Sequence, residues 1–535
     1  MNPNATSKLE TLLSNISHIN SRTLLFLILL MGLTLRIYAA VVGQGYHHTA
    51  MNDEVSAYQY MLAFINGESY SQYLAQPVFA GAQIPGPLWT LFWLTLYTLG
   101  GDSVSNAIIL MAVFNTAAIY IVYRLGIYFI DEKYALFVAA LYAISPWPIY
   151  YASGMWNPMP LPVLGGILIL SLWKSYSLNY SKTIFFVPLL SALLLQFHAI
   201  VIFYMPVILF FILMARKRVY WKYFYLGVVA GLMLYIPYLI GEINNNWSNT
   251  QEFFSEKSEF SYGFIKVFSI LPALISSTPG NLADNVGELK KYGDHFFFSY
   301  QIMIVLLLPS IIVSLSSYII FVKKYIKITF SAIGNSDSMS SEAQKIIFLG
   351  TTIFVPITML MLIGHNYTSR YALIVIPLLF LLPGIFLKHL GRYKQIFKAY
   401  FLFAFLLNIY ISLSFYSYQN QTITQGTIFK PSFKKMALIS EKIEANKRQG
   451  SLVKISLSPA VEAIKSHDYG KYKALIEFIT LEQKYIYRDH SSGGQPSYFY
   501  IKASSETSDS KRSIIYRDGS IIIETINPKS KNSLN

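Results

Sequence analysis

The run TLLFLILLMGLTLRIYAAVV, residues 23–42, contains a single charged side chain, that of Arg36. A helix that crosses a lipid bilayer needs about 20 mostly apolar residues, which this run supplies. No small-residue cleavage site follows it, as one would in a secretory signal peptide. The run therefore predicts an uncleaved membrane span.

Runs of the same kind recur along the chain. The 535 residues are 54% hydrophobic and 13% charged, whereas a soluble chain carries about 25% charged residues. The further candidate spans are 87–99, 104–130, 134–151, 158–173, 183–197, 199–215, 221–240, 299–322, 346–364, 371–387 and 396–416. We therefore expect a polytopic α-helical membrane protein.

Two composition counts exclude other classes of protein. The chain contains no cysteine, so disulfides, thiolate nucleophiles, Cys-ligated zinc and iron–sulfur clusters are excluded. Its net charge of +15 would suggest nucleic-acid binding in a soluble protein. Here the basic residues cluster at the ends of apolar runs, which is typical of membrane orientation, and we expect no nucleic-acid partner.

The orientation follows from the basic clusters, because Lys and Arg in short loops favour the cytoplasm. Clusters at 216–222, 323–327 and 388–398 indicate three cytoplasmic turns. The segment 43–85 contains acidic residues but no Lys or Arg, so it is expected outside, as is the long loop 242–298.

The number of crossings must be odd if the N-terminus is inside and the tail 417–535 is outside. We therefore expect about 11 to 13 transmembrane helices. The run 87–99 is the shortest candidate, so it or a neighbour is expected not to cross.

The tail 417–535 has a different composition and predicts a small soluble, extracytoplasmic α/β domain. We expect a helix at 432–447, strands at 452–457 and 498–502, and a hairpin around the Asp-Gly pair 518–519. The expected organisation is thus a membrane domain, 1–416, followed by this domain.

Two adjacent acidic residues, Asp53 and Glu54, lie in the predicted loop 43–85. On a helix they would sit about 100° apart, so one could face a substrate and the other a structural partner. The alternative is structural: Asp53 would cap a surface helix over 55–65.

Basic residues at the predicted outer face form a second candidate set: Arg36, His198, His365 and Arg370. An Arg within hydrocarbon usually faces a partner or an aqueous cavity, so these residues favour an anionic ligand. The alternatives are a buried carboxylate partner or snorkelling for Arg36, an interhelical contact for His198 and interfacial anchoring for Arg370.

Aromatic and proline-rich corners adjoin these residues, at 83–89 and at 145–158. Their prolines break helices, and their tryptophans suit the membrane interface, so helix termination with an aromatic belt is one reading. The other is a substrate pocket, for which the candidates are Trp89, Trp156, Asn157 and Tyr371.

The order of these motifs resembles the GT-C superfamily of integral membrane glycosyltransferases. The nearest branch is similar to the family 39 group, in which we include the protein O-mannosyltransferases and the lipid A aminoarabinose transferases. The sequence departs from the latter at Gln83, where they have a Lys, and at the split Pro85-Gly86-Pro87. The motifs that carry the resemblance are Leu35-Arg36-Ile37, Asn52-Asp53-Glu54, Pro85 to Trp89, Ser145-Pro146, Trp156-Asn157-Pro158, Gln196-Phe197-His198 and Ser369-Arg370-Tyr371.

This resemblance implies a GT-C fold and transfer of a sugar, with inversion, from a polyprenyl-phosphate donor to an acceptor hydroxyl on the extracytoplasmic face of the plasma (inner) membrane. It implies Asp53 as catalytic base with Glu54 beside it, and Arg370 and His198 near the donor phosphate. It implies no cofactor; a divalent metal at the two carboxylates is conceivable but not favoured. The expected partners are the lipid-linked donor, a lipid, glycan or protein acceptor, and membrane lipids.

Two other functions remain open at this point. A lipid-linked oligosaccharide ligase or polymerase would use Arg and His in a large outer loop, but the loop 242–298 contains His295 and no Arg. A non-catalytic transporter tends to place charges near the bilayer midplane in paired repeats, and no repeat is visible.

Overall fold

The computed structural model describes residues 20–42, 51–67, 77–79, 82–177, 181–255, 300–333, 340–362, 369–389, 394–424, 433–446, 453–457, 497–503, 512–517 and 521–526. Most of these residues are helical. In the first half of the chain the helices are α1 (Ser21–Val42), α2 (Met51–Ile65), α3 (Leu88–Leu99), α4 (Val104–Phe129), α5 (Glu132–Ile144), α6 (Pro146–Tyr150), α7 (Leu161–Ser177), α8 (Phe186–Leu195), α9 (Met205–Met214), α10 (Trp221–Met233), α11 (Ile236–Asn244) and α12 (Ser248–Ser255). Short 3₁₀ helices at Lys182–Phe185 and Ala199–Tyr204 lead into α8 and α9.

The second half continues the helical body and ends in a sheet. Its helices are α13 (Tyr300–Ile333), α14 (Ser341–Leu362), α15 (Ile376–Leu379), α16 (Leu381–His389), α17 (Lys394–Thr424) and α18 (Phe433–Asn446), with a 3₁₀ helix at Ser369–Ala372 before α15. Its strands are β3 (Val453–Leu457), β4 (Ser497–Ala503), β5 (Arg512–Arg517) and β6 (Ile521–Ile526), and the loop before α3 contains β1 (Pro77–Phe79) and β2 (Ala82–Gln83).

Few of the helices are long. Within the described ranges, three helices have the length and apolar character of a membrane span: α1, α4 and the Val305–Ser331 part of α13. A fourth is counted if α10 and α11, which meet at an angle of 40°, form one bent span. Other apolar helices are shorter, between 10 and 17 residues. The chain is an integral membrane protein whose remaining spans are short or broken.

One end of the helical body is fixed by Lys388. Its Nζ lies 3.0 Å from Asp131 Oδ2 and donates to the carbonyl oxygen of Ile130 at 3.1 Å. The end of α4 and the start of α5 therefore lie beside the end of α16. We call this the Lys388 end, and the opposite end, where the ring of His198 meets that of Tyr371, the His198 end.

Helix α3 starts and finishes at the His198 end. Its first residue, Leu88, is hydrogen-bonded to Gln196, two positions before His198. Its last residue is followed by a tight turn into α4, which is about 39 Å long and runs to the Lys388 end. Both ends of α3 are therefore on one side, as expected for the run 87–99.

With α3 excluded, the described ranges contain 11 helical segments that are candidates for crossings, which equals the lower of the predicted numbers. The crossing segments are α1, α4, α5, α7, α8, α9, α10 with α11, α13, α14, α15 with α16, and α17.

Several predicted boundaries were wrong. The span expected at 134–151 is broken at Ser145, and α13 and α17 run on to Ile333 and Thr424. The domain boundary expected after residue 416 therefore falls inside α17. Helix α2 begins at Met51, so Asp53 lies in its first turn and is not the cap that precedes the helix.

The tail has the elements that were expected. Strands β3, β4, β6 and β5 lie in that order in one sheet, in which β3 is parallel to β4 and the other pairs are antiparallel. Helix α18 packs against β5 and also contacts α4. Its buried face comprises Met436, Ile439 and Ile443, and Ile523 of β6 is also buried.

Candidate functional site

The His198 end is built from helices that are interrupted at a similar level. Helix α5 stops at Ser145, α8 gives way to a 3₁₀ helix after His198, and α10 bends into α11 at Tyr235. Every interruption leaves backbone carbonyls without helical partners, and hydrocarbon offers them none. Side chains from other segments of the chain supply the missing donors in each case described below.

Arg36 supplies one donor at the Ser145 break. Its guanidinium is fully buried, and Nη1 donates to the carbonyl oxygens of Gly32 and Ala143, both at 3.0 Å. The guanidinium carbon also lies 5.6 Å from the ring centre of Tyr142. The described contacts of Arg36 include two carbonyl oxygens and an aromatic ring, so it supports the backbone at this break.

Ser412 of α17 supplies a second donor at the same break, from its Oγ to the carbonyl oxygen of Ile144 at 3.2 Å. That carbonyl has no helical donor because residue 148 is a proline. The break is thus held from two sides, by the first and the last crossing helix.

The segment after the break is irregular but completely buried, since every residue from 135 to 163 is buried. Trp156 stacks on Tyr151 with ring centres 6.1 Å apart. Asn157 donates from Nδ2 to the carbonyl oxygen of Phe197 at 2.8 Å. Both predicted pocket residues are 5% exposed, and Asn157 supports the neighbouring break at His198.

His198 is half-buried and caps the 3₁₀ helix that leads into α9. Its Nδ1 accepts the backbone N–H of Ile200 at 3.1 Å, which leaves Nε2 as the protonated nitrogen of the neutral ring. The ring meets that of Tyr371 edge-on at 5.9 Å. This contact brings two predicted site residues together.

The corner at 85–89 is held by Gln196, which is fully buried. Its Oε1 accepts from Leu88 N at 3.2 Å, and its Nε2 donates to the carbonyl oxygen of Leu234 at 2.8 Å. Gly86 has φ +118°, and a Cβ there would overlap the Gln196 amide. Trp89 follows and is 1% exposed, packed on Trp93 and Phe197. It is thus part of the core beneath the corner.

The remaining predicted site residues are described by backbone only or not at all. Asp53 and Glu54 lie in the first turn of α2, and Arg370 lies in the 3₁₀ helix Ser369–Ala372, next to Tyr371. Their side chains, and the whole of His365, lie outside what the structure describes. Their predicted roles stay predictions.

A polar network between the two long loops was not predicted from the sequence. It joins α2 and β2 to α11 and α12, and its members are Tyr60, Gln83, Tyr238, Glu242, Asn249 and Thr250. The polar run NNNWSNT at 244–250, directly after an apolar span, is the signal that could have indicated it. Within the described ranges, no group of three His, Asp or Glu side chains could hold a metal ion.

Comparison with known proteins gives matches in structure alone. No protein-family model and no curated protein sequence matches the chain. The crystal structure of ArnT from Cupriavidus metallidurans bound to undecaprenyl phosphate matches with a TM-score of 0.55 and 12% identity, over 94% of this chain and 97% of that chain. The apo state of the same protein matches with a TM-score of 0.50 and 12% identity, over 88% and 93%. The fold is therefore shared over nearly the whole length.

Proposed function

From the GT-C superfamily fold that this chain adopts, we propose that it is a glycosyltransferase that moves a sugar from a polyprenyl-phosphate donor to an acceptor hydroxyl. The acceptor hydroxyl belongs to a lipid, a glycan or a protein. The neighbour of the same fold was crystallised with undecaprenyl phosphate, which supports a lipid phosphate as the carrier.

The observation that carries the proposal is the contact between His198 and Tyr371. It brings the segment of His198 next to the segment of Arg370, two basic residues that are far apart in sequence. Both segments lie at the start of short 3₁₀ helices, Ala199–Tyr204 and Ser369–Ala372. A lipid phosphate bound here would have its charge matched by Arg370 and would accept a hydrogen bond from Nε2 of His198.

The surroundings support a site at this level of the bilayer. Irregular backbone at membrane depth is tolerated only where it is buried in protein or borders a water-filled cavity. The interruptions at Ser145, His198 and Tyr235 are of this kind, and side chains hydrogen-bond their carbonyls. A long isoprenoid chain can then lie along the helices while its phosphate reaches the polar layer.

The chemistry requires a base as well as a phosphate site. In the proposed reaction Asp53 takes the proton of the acceptor hydroxyl, and the acceptor oxygen attacks the anomeric carbon. The bond from that carbon to the phosphate oxygen breaks, and polyprenyl phosphate leaves with its charge stabilised by Arg370 and His198. One displacement inverts the anomeric configuration. Glu54 is the neighbouring carboxylate and the alternative base.

We further propose that the His198 end faces the extracytoplasmic side of the plasma (inner) membrane. The basic clusters of the sequence support this, because Lys388 and the cluster 216–222 belong to turns at the opposite end. No cofactor is needed for the proposed chemistry, since a protein carboxylate and two basic side chains suffice.

The test is release of polyprenyl phosphate by the purified protein. Candidate polyprenyl-phosphate sugars are added with lipid, glycan and peptide acceptors, and the released lipid phosphate is measured with and without EDTA. We expect release that depends on an acceptor and survives EDTA. Failure with every donor would overturn the proposed function, and loss in EDTA with rescue by Mg²⁺ or Mn²⁺ would overturn the metal-free chemistry.

A further inference from the structure

Asn249 of α12 holds the short strand β2 as a neighbouring strand would. Its Oδ1 accepts the backbone N–H of Gln83 at 2.6 Å, and its Nδ2 donates to the carbonyl oxygen of Gln83 at 3.1 Å. The two residues are 166 positions apart, and Asn249 is 6% exposed. We call Tyr60, Gln83, Tyr238 and Asn249 the Asn249 clamp.

The clamp is anchored on the side of α11 and α12. Glu242, which is 1% exposed, accepts at Oε2 from the backbone N–H and the hydroxyl of Thr250, at 2.9 and 2.5 Å. The turn between the two helices places Asn246 and Trp247 in the left-handed region, with φ 53° and 59°. Such backbone persists only where the surroundings fix it, so Asn249 is presented from a rigid turn.

On its other side the clamp reaches α2. Gln83 donates from Nε2 to the hydroxyl oxygen of Tyr60 at 3.0 Å. Burial raises the pKa of Tyr60, so this residue remains a neutral phenol at neutral pH. Positions 53 and 60 lie almost two helical turns apart on α2, and so on the same side of that helix.

We propose that Asn249 is a positioning residue for the proposed base: through Gln83 and Tyr60 it holds the helix that carries Asp53 against the loop after α11. This inference rests on the proposed function. The Asn249 clamp acts on α2, whereas His198 and Arg370, the proposed phosphate ligands, lie on other helices. Loss of the clamp therefore affects the chemical step more than donor binding. A misplaced base slows a reaction even when the substrate is fully bound.

The first experiment is a double-mutant cycle of Asn249→Ala and Tyr60→Phe. We expect each single variant to lower kcat about 10-fold with donor KM changed less than about twofold, and the double variant to be no slower than the slower single variant. The proposal would be overturned if the two fold-reductions in kcat multiplied in the double variant, or if neither single substitution lowered kcat.

Two matched controls separate positioning from general damage. Asn245→Ala removes an amide in the same turn whose Nδ2 donates only to the local carbonyl oxygen of Gly241 at 2.8 Å. Tyr225→Phe removes the hydroxyl of a side chain that is 60% exposed. Both should keep the kcat of the unaltered protein, and a loss equal to that of the clamp variants would overturn the inference.

A second experiment needs no turnover. Because the chain has no cysteine, the pair Gln83→Cys and Asn249→Cys provides its only thiols. We expect the pair to form a disulfide readily, and the control pair Gln83→Cys and Asn245→Cys to form far less. If the unaltered protein has no glycosyltransferase activity, the proposed function and the role of Asn249 are both overturned. If the protein is active but the effects of the two substitutions multiply, only the role of Asn249 is overturned. The disulfide test reports whether the Asn249 clamp forms, in either case.

Discussion

At the scale of single residues, we expect substitution of Asp53 to lower turnover and substitution of Arg370 to weaken donor binding. Asp53→Asn keeps the size of the side chain but cannot accept a proton. We expect turnover to fall by roughly 10² to 10⁴ while donor affinity stays nearly constant. Single-turnover kinetics with saturating donor measure this. Normal turnover in Asp53→Asn, with loss in Glu54→Gln, would move the base to Glu54.

Arg370→Lys keeps the charge but loses the planar, two-pronged donor that fits a phosphate. We expect donor binding to weaken by about 1.5 to 3 kcal/mol, as for a charge-assisted hydrogen bond. Titration of the protein with polyprenyl phosphate measures the change. Unchanged affinity would leave Arg370 as an interfacial anchor and shift the phosphate site toward His198.

The sequence selected candidate residues for the site but did not indicate their contacts. His198 and Tyr371 were selected because of their positions at helix ends, and the structure brings them together. Arg36 was selected because an Arg in hydrocarbon needs a partner, and its partners include the carbonyls of Gly32 and Ala143. Nothing local to residue 36 indicates that a helix 107 positions later is interrupted beside it.

At the scale of helices, the Ser145 break should depend on Arg36. Arg36→Met removes the donor to Ala143 and leaves a buried carbonyl without it, which we expect to lower the free energy of unfolding by about 1 to 3 kcal/mol. Thermal unfolding in detergent measures the loss. Arg22→Met, on the exposed Lys388 end of the same helix, is the control and should change little. Equal stability of the two variants would contradict a capping role.

The two ends of α3 offer a matched pair of glycines, Gly86 before the helix and Gly101 after it. Gly86 and Gly101 both have left-handed backbone, with φ +118° and +69°, but only at Gly86 would a Cβ meet another group, the amide of Gln196. Gly101→Ala should cost about 1 to 2 kcal/mol from the backbone alone. Gly86→Ala should cost about 1 to 3 kcal/mol more, because the Gln196 bonds to Leu88 and Leu234 are disturbed. Equal melting temperatures would refute this.

Helices were easier to predict than their interruptions. Apolar runs of about 20 residues gave α1 and α4 within a few positions. The interruptions within 134–151 and 221–240 were missed, because mean hydropathy does not register a break whose carbonyls are hydrogen-bonded by remote side chains. The proline pair at 146 and 148 was the local sign of one of them.

At the scale of the whole molecule, the course of α3 determines which turns share a face of the membrane. Single cysteines at Asp102→Cys and Lys217→Cys can be labelled with an impermeant maleimide in intact cells, since the chain has no other thiol. We expect Asp102→Cys to react from outside and Lys217→Cys only after permeabilisation, with a reporter after Asn535 also outside. Because α3 precedes both positions, the sign that α3 crosses would be a cysteine at Asn66, before α3, that is labelled from the side opposite to Asp102→Cys.

The overall architecture was predictable from the sequence to a greater extent than the site. The predicted GT-C fold is confirmed as a fold by the matching structures. Composition predicted the membrane class, and the order of the motifs predicted the fold. The network from Tyr60 to Glu242 was not predicted: the polar run 244–250 marks one side of it, but no motif indicates that this run pairs with Gln83, 166 positions from Asn249.

The two side chains that donate hydrogen bonds at the Ser145 break are synthesised at different times. Arg36 precedes the break in sequence, but Ser412 follows Ile144 by 268 residues. At about 5 to 20 residues per second, the ribosome reaches Ser412 roughly 13 to 54 s after Ile144. Until then the carbonyl of Ile144 lacks its donor, and α5 is too short to be retained by the bilayer alone. The nascent chain must therefore hold this helix in a provisional arrangement, and final assembly of the His198 end has to wait for the last span.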